Sequence, residues 1–337
     1  MSVTTVSAHQ PARPTALHFG RSVLARVPLL QIAGVIGLFV LGSTTIGGYQ
    51  SASSVRSMLV LASFLGVAAA GQTIVVLLGG MDLSLPFIIG AANVLVSQLY
   101  GGDHWPFWAV AVFITVGALA AGTLSGYIAN RFSIHPLIVT LGVGTAIAGG
   151  ILVWTQANFT GAAPGWIDSF VSSGLKTGPI PLPRVVVFWA VFAVVLTLIL
   201  SKTAIGRRLY STGANQPAAR LALVQTNRVW MGAFAASAFC AALAGVLLAG
   251  FSGMGLYNIG QPYLFTSIAS VVIGGTSLLG ARGDYVRTVL GALMLIQIQT
   301  ILIGYGFDVA AQQVGLGLVI LIMVASYARE PSIRSRI

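Results

Sequence analysis

Charge is what this sequence has least of. Six acidic residues and two lysines are spread over 337 positions, and only 7% of the chain is charged. A soluble domain carries roughly a quarter charged residues, so a soluble core with a charged skin is excluded. One cysteine, Cys240, excludes an internal disulfide and gives no sign of redox compartment. It lies in an apolar run, where a small packed side chain accounts for it. The four histidines, His9, His18, His104 and His135, are scattered, so metal clusters and catalytic triads lack their components. Neither lysine, Lys176 nor Lys202, ends a Gly-rich loop as a Walker A motif requires. The net charge of +11 is not gathered on one face, which argues against nucleic acid.

The chain is instead 56% hydrophobic, with 41 glycines. Its charges fall in short clusters between apolar runs of about 17–25 residues, the length that crosses a bilayer as helix. Runs at 27–47, 57–79, 84–100, 106–129, 136–154, 185–201, 229–251, 263–280, 288–304 and 309–327 predict about ten helices in an all-α polytopic bundle surrounded by lipid. Glycine suits close packing between such helices. The runs 84–100 and 263–280 are the least regular and are compatible with broken or re-entrant helices. The first run is too long for a signal-peptide core, so it reads as an uncleaved span.

Alternating the runs across the membrane with the N-terminus inside leaves only Arg56, Lys176 and Arg184 outside; the other fourteen basic residues fall inside. This obeys the positive-inside rule. It predicts a cytoplasmic tail at 1–26, one transmembrane domain at 27–328 and a cytoplasmic tail at 329–337. Within the domain lie an outer loop at 155–184 and an inner segment at 202–228. The outer loop is rich in Gly and Pro, with room for a short helix around Trp166 to Ser172.

Two apolar-flanked strings stand out. GGMDLSLP, Gly79–Pro86, holds the first acid of the chain, Asp82. An acid beside the membrane is a candidate for solute contact or gating; Asp82 or Ser84 capping the next helix, with Pro86 in its first turn, is the competing explanation. VVIGGTSL, Val271–Leu278, repeats the glycine pair of VLLGGMDL, Val76–Leu83. An internal repeat and a chance likeness both fit this. In the inner segment, Gly206 and Gly213 are expected to break helix. Asn215 is expected to cap a short helix from about Gln216 to Leu223, with Pro217 in its first turn. Ala218, Leu221 and Ala222 form its apolar face, suited to docking on another protein; a solvated basic loop is the plainer alternative.

Four strings occur here in the order seen in one known family: GQTIVVLLGGMDLS (Gly71–Ser84), HPLIVTLGVGTAIAGG (His135–Gly150), GRRLYSTGANQPAARLALV (Gly206–Val224) and SIASVVIGGTSLLGARGDYVRTVLGAL (Ser267–Leu293). By these the chain resembles the permease subunits of bacterial ABC importers of the ribose/sugar type. The resemblance implies a type II importer subunit working with a second permease, a copy or a paralogue, in the bacterial inner membrane. It also implies cytoplasmic ATPase subunits, which would hold ATP and Mg, and a periplasmic sugar-binding protein. This chain itself would hold no cofactor and catalyse no reaction. Asn215–Val224 would be the coupling helix, with Gly213, Asn215, Ala218, Ala219, Arg220 and Leu221 meeting the ATPase. Gln72, Asp82, Ser84, Asn93, Thr140, Gln297 and Gln299 are the polar residues available to a translocation path or gate; hydrogen bonds between helices would also account for them. The sequence departs from the family where Leu223 stands near a usual glycine, and where Tyr263 and Phe265 stand near frequent acids. A stand-alone secondary transporter is the rival reading, opposed by the scarcity of intramembrane acids for a proton relay.

Overall fold

The computed structural model describes residues 28–308, 310–315, 317, 318 and 321. Apart from one isolated bridge between Thr177 and Ile180, its described regular structure is helical. The helices are α1 (Leu29–Thr45), α2 (Ala52–Leu77), α3 (Leu85–Leu95), α4 (Phe107–Arg131), α5 (Pro136–Thr155), α6 (Gly165–Val171), α7 (Arg184–Lys202), α8 (Ala204–Ala214), α9 (Gln216–Leu221), α10 (Thr226–Ser252), α11 (Tyr263–Ile273) and α12 (Tyr285–Gly304). Val96–Gly102 continue α3 as a π-helix. Both tails and most of the tenth expected run, 309–327, lie outside the described residues.

Among the described residues seven helices are long and apolar enough to cross a membrane: α2, α3 with its π continuation, α4, α5, α7, α10 and α12. Ten full spans are therefore not what is observed. α1 has 17 residues, and α11 has only 11, or about 16 Å, half the hydrocarbon thickness. α11 starts where the run starts but stops at Ile273, where Gly274 lies against the Arg287 carbonyl of α12 and Gly275 takes a left-handed φ of +90°. Residues 253–262 fold back beside α3, so close that a Cβ on Gly90 would lie 1.9 Å from the Tyr257 carbonyl oxygen. A Cβ on Gly260 would lie 2.0 Å from that of Pro86. Glycine is what lets this unwound segment seat itself.

α2, α3 and α10 form the buried centre, while α4, α5 and α7 turn most of their surface outward. α2 packs on α10 through Gly71, where a Cβ would meet Ser237 Cα at 2.7 Å; Gly122 and Gly126 of α4 approach the α10 backbone as closely. Helices without a hydrophobic drive to associate in lipid gain contact this way. A buried polar link adds direction: Tyr285 Oη donates to Gly66 O (2.7 Å) and accepts from Trp189 Nε1 (3.0 Å), joining α12, α2 and α7.

One end of the bundle collects Arg131, Lys202, Arg228 and Arg287, from α4, α7, α10 and α12, and is called the basic end below. Toward the other end Trp105, Trp108, Trp154 and Trp166 are exposed, the placement of an interfacial aromatic belt.

Candidate functional site

Three features fit together, two at the basic end and one deeper inside the bundle. α8 and α9 form the first. Gly206 and Gly213 were expected to break helix, yet both lie inside α8. They are there for clearance: a Cβ on Gly206 would sit 1.9 Å from Leu200 O, and one on Gly213 1.9 Å from Leu77 O at the end of α2. α9 follows at once. Asn215 Oδ1 accepts from Ala218 N (3.0 Å), and Pro217 lies in the first turn. The helix ends at Leu221, two residues short of the expected limit, because Leu223 takes a left-handed φ of +61°. That conformation favours glycine. Ala219 is buried, Gln216 Nε2 donates to Asn130 Oδ1 (2.6 Å), and Arg220 Nε donates to Thr226 Oγ1 (3.0 Å). Ala218, Leu221 and Ala222 point outward, and Leu221 and Leu223 are 87% and 91% exposed. Tyr210 on α8 donates to Gly283 O (2.8 Å). Burial, then the nearby Asp284, hold its phenol above the usual range.

The second feature is the pair of glycine strings. Both end a helix by the same two bonds. Gly80 N donates to Val75 O (3.1 Å) and Gly79 N to Val76 O (2.8 Å); Thr276 N donates to Val271 O (3.1 Å) and Gly275 N to Val272 O (2.8 Å). These are Schellman caps, with the left-handed residue at Gly79 (φ +81°) and Gly275 (φ +90°). The structural equivalence is thus offset by one residue from the alignment of the strings. The two turns also touch, since Ala281 N donates to Leu77 O (2.9 Å). Leu77 is therefore where α2, Gly213 of α8 and the 277–283 turn meet.

The third feature is Asp82, buried between α2 and α3. Its Oδ1 accepts from Ser84 N (2.9 Å) and Ser84 Oγ (2.5 Å), and its Oδ2 from Ser237 Oγ (2.7 Å). Asp82 thus braces Ser84 at the start of α3, while Ser84 itself makes no side-chain cap. Thr140 Oγ1 of α5 accepts from Leu83 N (3.0 Å). Ser237 lies about 16 Å along α10 from its start, so this network ties α3 to α5 and α10 inside the bundle.

Asp82, Ser84 and Thr140 are therefore brought together, and the other polar candidates are not part of that network. Asn93 anchors the chain after α10: Oδ1 accepts from Leu256 N (2.7 Å) and Nδ2 donates to Ser252 Oγ (3.4 Å). Gln72 is fully buried on α2 with neither amide atom partnered, and Gln297 Oε1 on α12 is also without a partner. Gln299 lines a cavity of about 250 Å³ with Leu61, Leu65, Leu248, Phe251, Ile259, Pro262, Tyr263, Thr266 and Ile296. Sequence reasoning missed Ser237 and helix α8. Ser237 sits in an alanine-rich run with nothing to distinguish it.

Residues 54–325 match the family described as the branched-chain amino acid transport system / permease component. The chain is 30% identical to a ribose import permease protein of Haemophilus influenzae, over 90% of this chain and 91% of that one. It is 31% identical to a fructose import permease protein of Rhizobium meliloti, over 91% and 86%. It is also 31% identical to an autoinducer 2 import system permease protein of Salmonella typhimurium, over 81% and 77%. No solved structure matches the chain.

Proposed function

The chain belongs to this family of transport permease components, and from that premise we propose that it is the membrane-spanning subunit of an ATP-driven ABC importer for a sugar or sugar-like solute. Relatives named for ribose, fructose and autoinducer 2 import support the solute class. The observation that carries the coupling role is the build of α9. It is capped by Asn215 and seated by Ala219, and it and the turn after it hold two almost fully exposed leucines, Leu221 and Leu223, off the basic end. Exposed leucines beside arginines suit a protein groove better than water.

In this reading the basic end faces the cytoplasm with both chain termini, in the bacterial inner membrane, and the chain crosses that membrane several times. Cytoplasmic ATPase subunits, which bind ATP and Mg, press on α9. Gly213 passes the displacement to Leu77 at the foot of α2, and Ala281 passes it to the turn before α12. α2 is the most enclosed long helix, so it cannot move without its neighbours, and alternating access follows as a rigid-body shift. The Asp82–Ser237 bonds keep α3 with α10 during the stroke. A second permease, identical or paralogous, packs on the outward helices. α5 offers Gly142, Gly149 and Gly150 on its surface with open space around them. The 155–184 segment with α6 receives a loaded periplasmic binding protein.

The test is cross-linking. Leu221→Cys in the native membrane should join the ATPase subunit and co-purify with it, and a cysteine at exposed Trp108 should not. A Leu221→Cys protein that purifies alone and joins nothing would remove the coupling role from α9.

A further inference from the structure

The cavity between α2, α10, α11 and α12 is small, about 250 Å³. Pockets for drug-sized ligands run from roughly 300 to 1,000 Å³, so this one suits a single small ring. Its walls are largely apolar and include two aromatic rings, Phe251 and Tyr263. Its polar groups are the Tyr263 hydroxyl, Thr266 and the Gln299 amide. Thr266 Oγ1 is already engaged with Pro262 O (2.7 Å). Tyr263 Oη and the Gln299 amide bond to no other described residue. No charged side chain lines the space, so an ion would lose hydration there without compensation.

A second observation points to the same place. Leu61 and Leu65 of α2 line the cavity, and Gln72 follows Leu65 by seven residues, on the same face and about 10 Å deeper toward the basic end. Gln72 is wholly buried with both amide atoms unpartnered. Such a group is costly to hold unless something bonds to it in part of the working cycle.

We propose that this cavity is the first seat of the solute inside the permease and Gln72 the next, and that together they select a neutral ring with one bare apolar face and few hydroxyls. The aromatic rings take the apolar face; Tyr263 and Gln299 take hydroxyls on the opposite edge. The inference rests on the importer reading and refines its substrate class.

The test uses the complex with its ATPase in lipid nanodiscs. Ile259→Cys is labelled with a cationic methanethiosulfonate; the native Cys240 is buried and gives little background. D-Ribose, D-fructose and a deoxy-pentose are the ring probes, sorbitol the open-chain control and oleate the lipid control. Ring sugars should slow labelling, with the deoxy-pentose effective at the lowest concentration. Gln299→Leu should raise the half-protecting concentration about tenfold, the factor for about 1.4 kcal/mol. Gln72→Leu should leave that protection intact and depress ATP-driven uptake. Phe251→Cys, at the exposed mouth, serves if Ile259→Cys does not fold. Equal protection by sorbitol, protection by oleate alone, or no protection while ATP-driven uptake persists overturns the seat and leaves the importer reading standing. Loss of ATP dependence in the unaltered complex overturns that reading and the inference with it.

Discussion

Replacing Gly213 by alanine tests the junction on which the coupling account depends. In an unobstructed helix this change stabilises by about 0.8–1 kcal/mol. At Gly213 the new Cβ would lie 1.9 Å from Leu77 O, which is backbone and cannot rotate away. Carbon and oxygen need more than an ångström beyond that, so α8 and the end of α2 must separate. Overpacking of this kind costs about 1–3 kcal/mol. Moving Leu77 also strains its bond from Ala281 N (2.9 Å), worth about 0.5–1.5 kcal/mol. The net expectation is a loss of about 1–3 kcal/mol. Gly232 on α10 has nothing within 4 Å of its Cβ position, so Gly232→Ala should gain up to about 1 kcal/mol. Thermal unfolding midpoints in detergent should therefore move in opposite directions for the two variants. In the assembled complex, Gly213→Ala should also slow transport per ATP hydrolysed, and Gly232→Ala should not. A Gly213→Ala protein as stable and as coupled as the parent would refute the close contact between α8 and α2.

Asp82→Ala should lower the unfolding midpoint by the equivalent of at least about 1–3 kcal/mol, since it leaves the buried Ser84 and Ser237 hydroxyls without their acceptor. Ser237→Ala, which removes one donor, should cost less. Tyr285→Phe should cost about 1–3 kcal/mol by leaving Trp189 Nε1 and Gly66 O short of their partner; near-UV circular dichroism and the midpoint together report it. Leu223→Gly should cost no stability and gain up to about 1 kcal/mol, because the left-handed residue is almost fully exposed. Leu221→Asp should leave the fold and its midpoint unchanged, and lower solute-stimulated ATP hydrolysis in the complex at least tenfold.

The helical class, most helix positions and the Asn215 cap were legible because apolar run length, Asn and Pro act locally. The short helix expected around Trp166 appears as α6, one residue earlier. The errors arise where tertiary contact overrides local preference. Gly206 and Gly213 look like helix breakers, but α8 needs them for clearance against Leu200 and Leu77. The run 263–280 has the composition of a span, yet Gly274, held against the Arg287 carbonyl of α12, and the left-handed Gly275 end α11 after 11 residues. The role of Asp82 was half visible. Its proximity to Ser84 is written in the sequence; its bond to Ser237, 155 positions away, is fixed by the packing of Gly71 on α10.

The central claim is that this chain is a passage driven by another protein's ATP hydrolysis. The most direct test is solute accumulation in proteoliposomes holding the permease with its ATPase and loaded binding protein. Accumulation against a gradient should require ATP inside the assembly and should collapse with Leu221→Asp. Equal accumulation driven by a proton or sodium gradient, without ATP and without the ATPase subunit, would contradict the account.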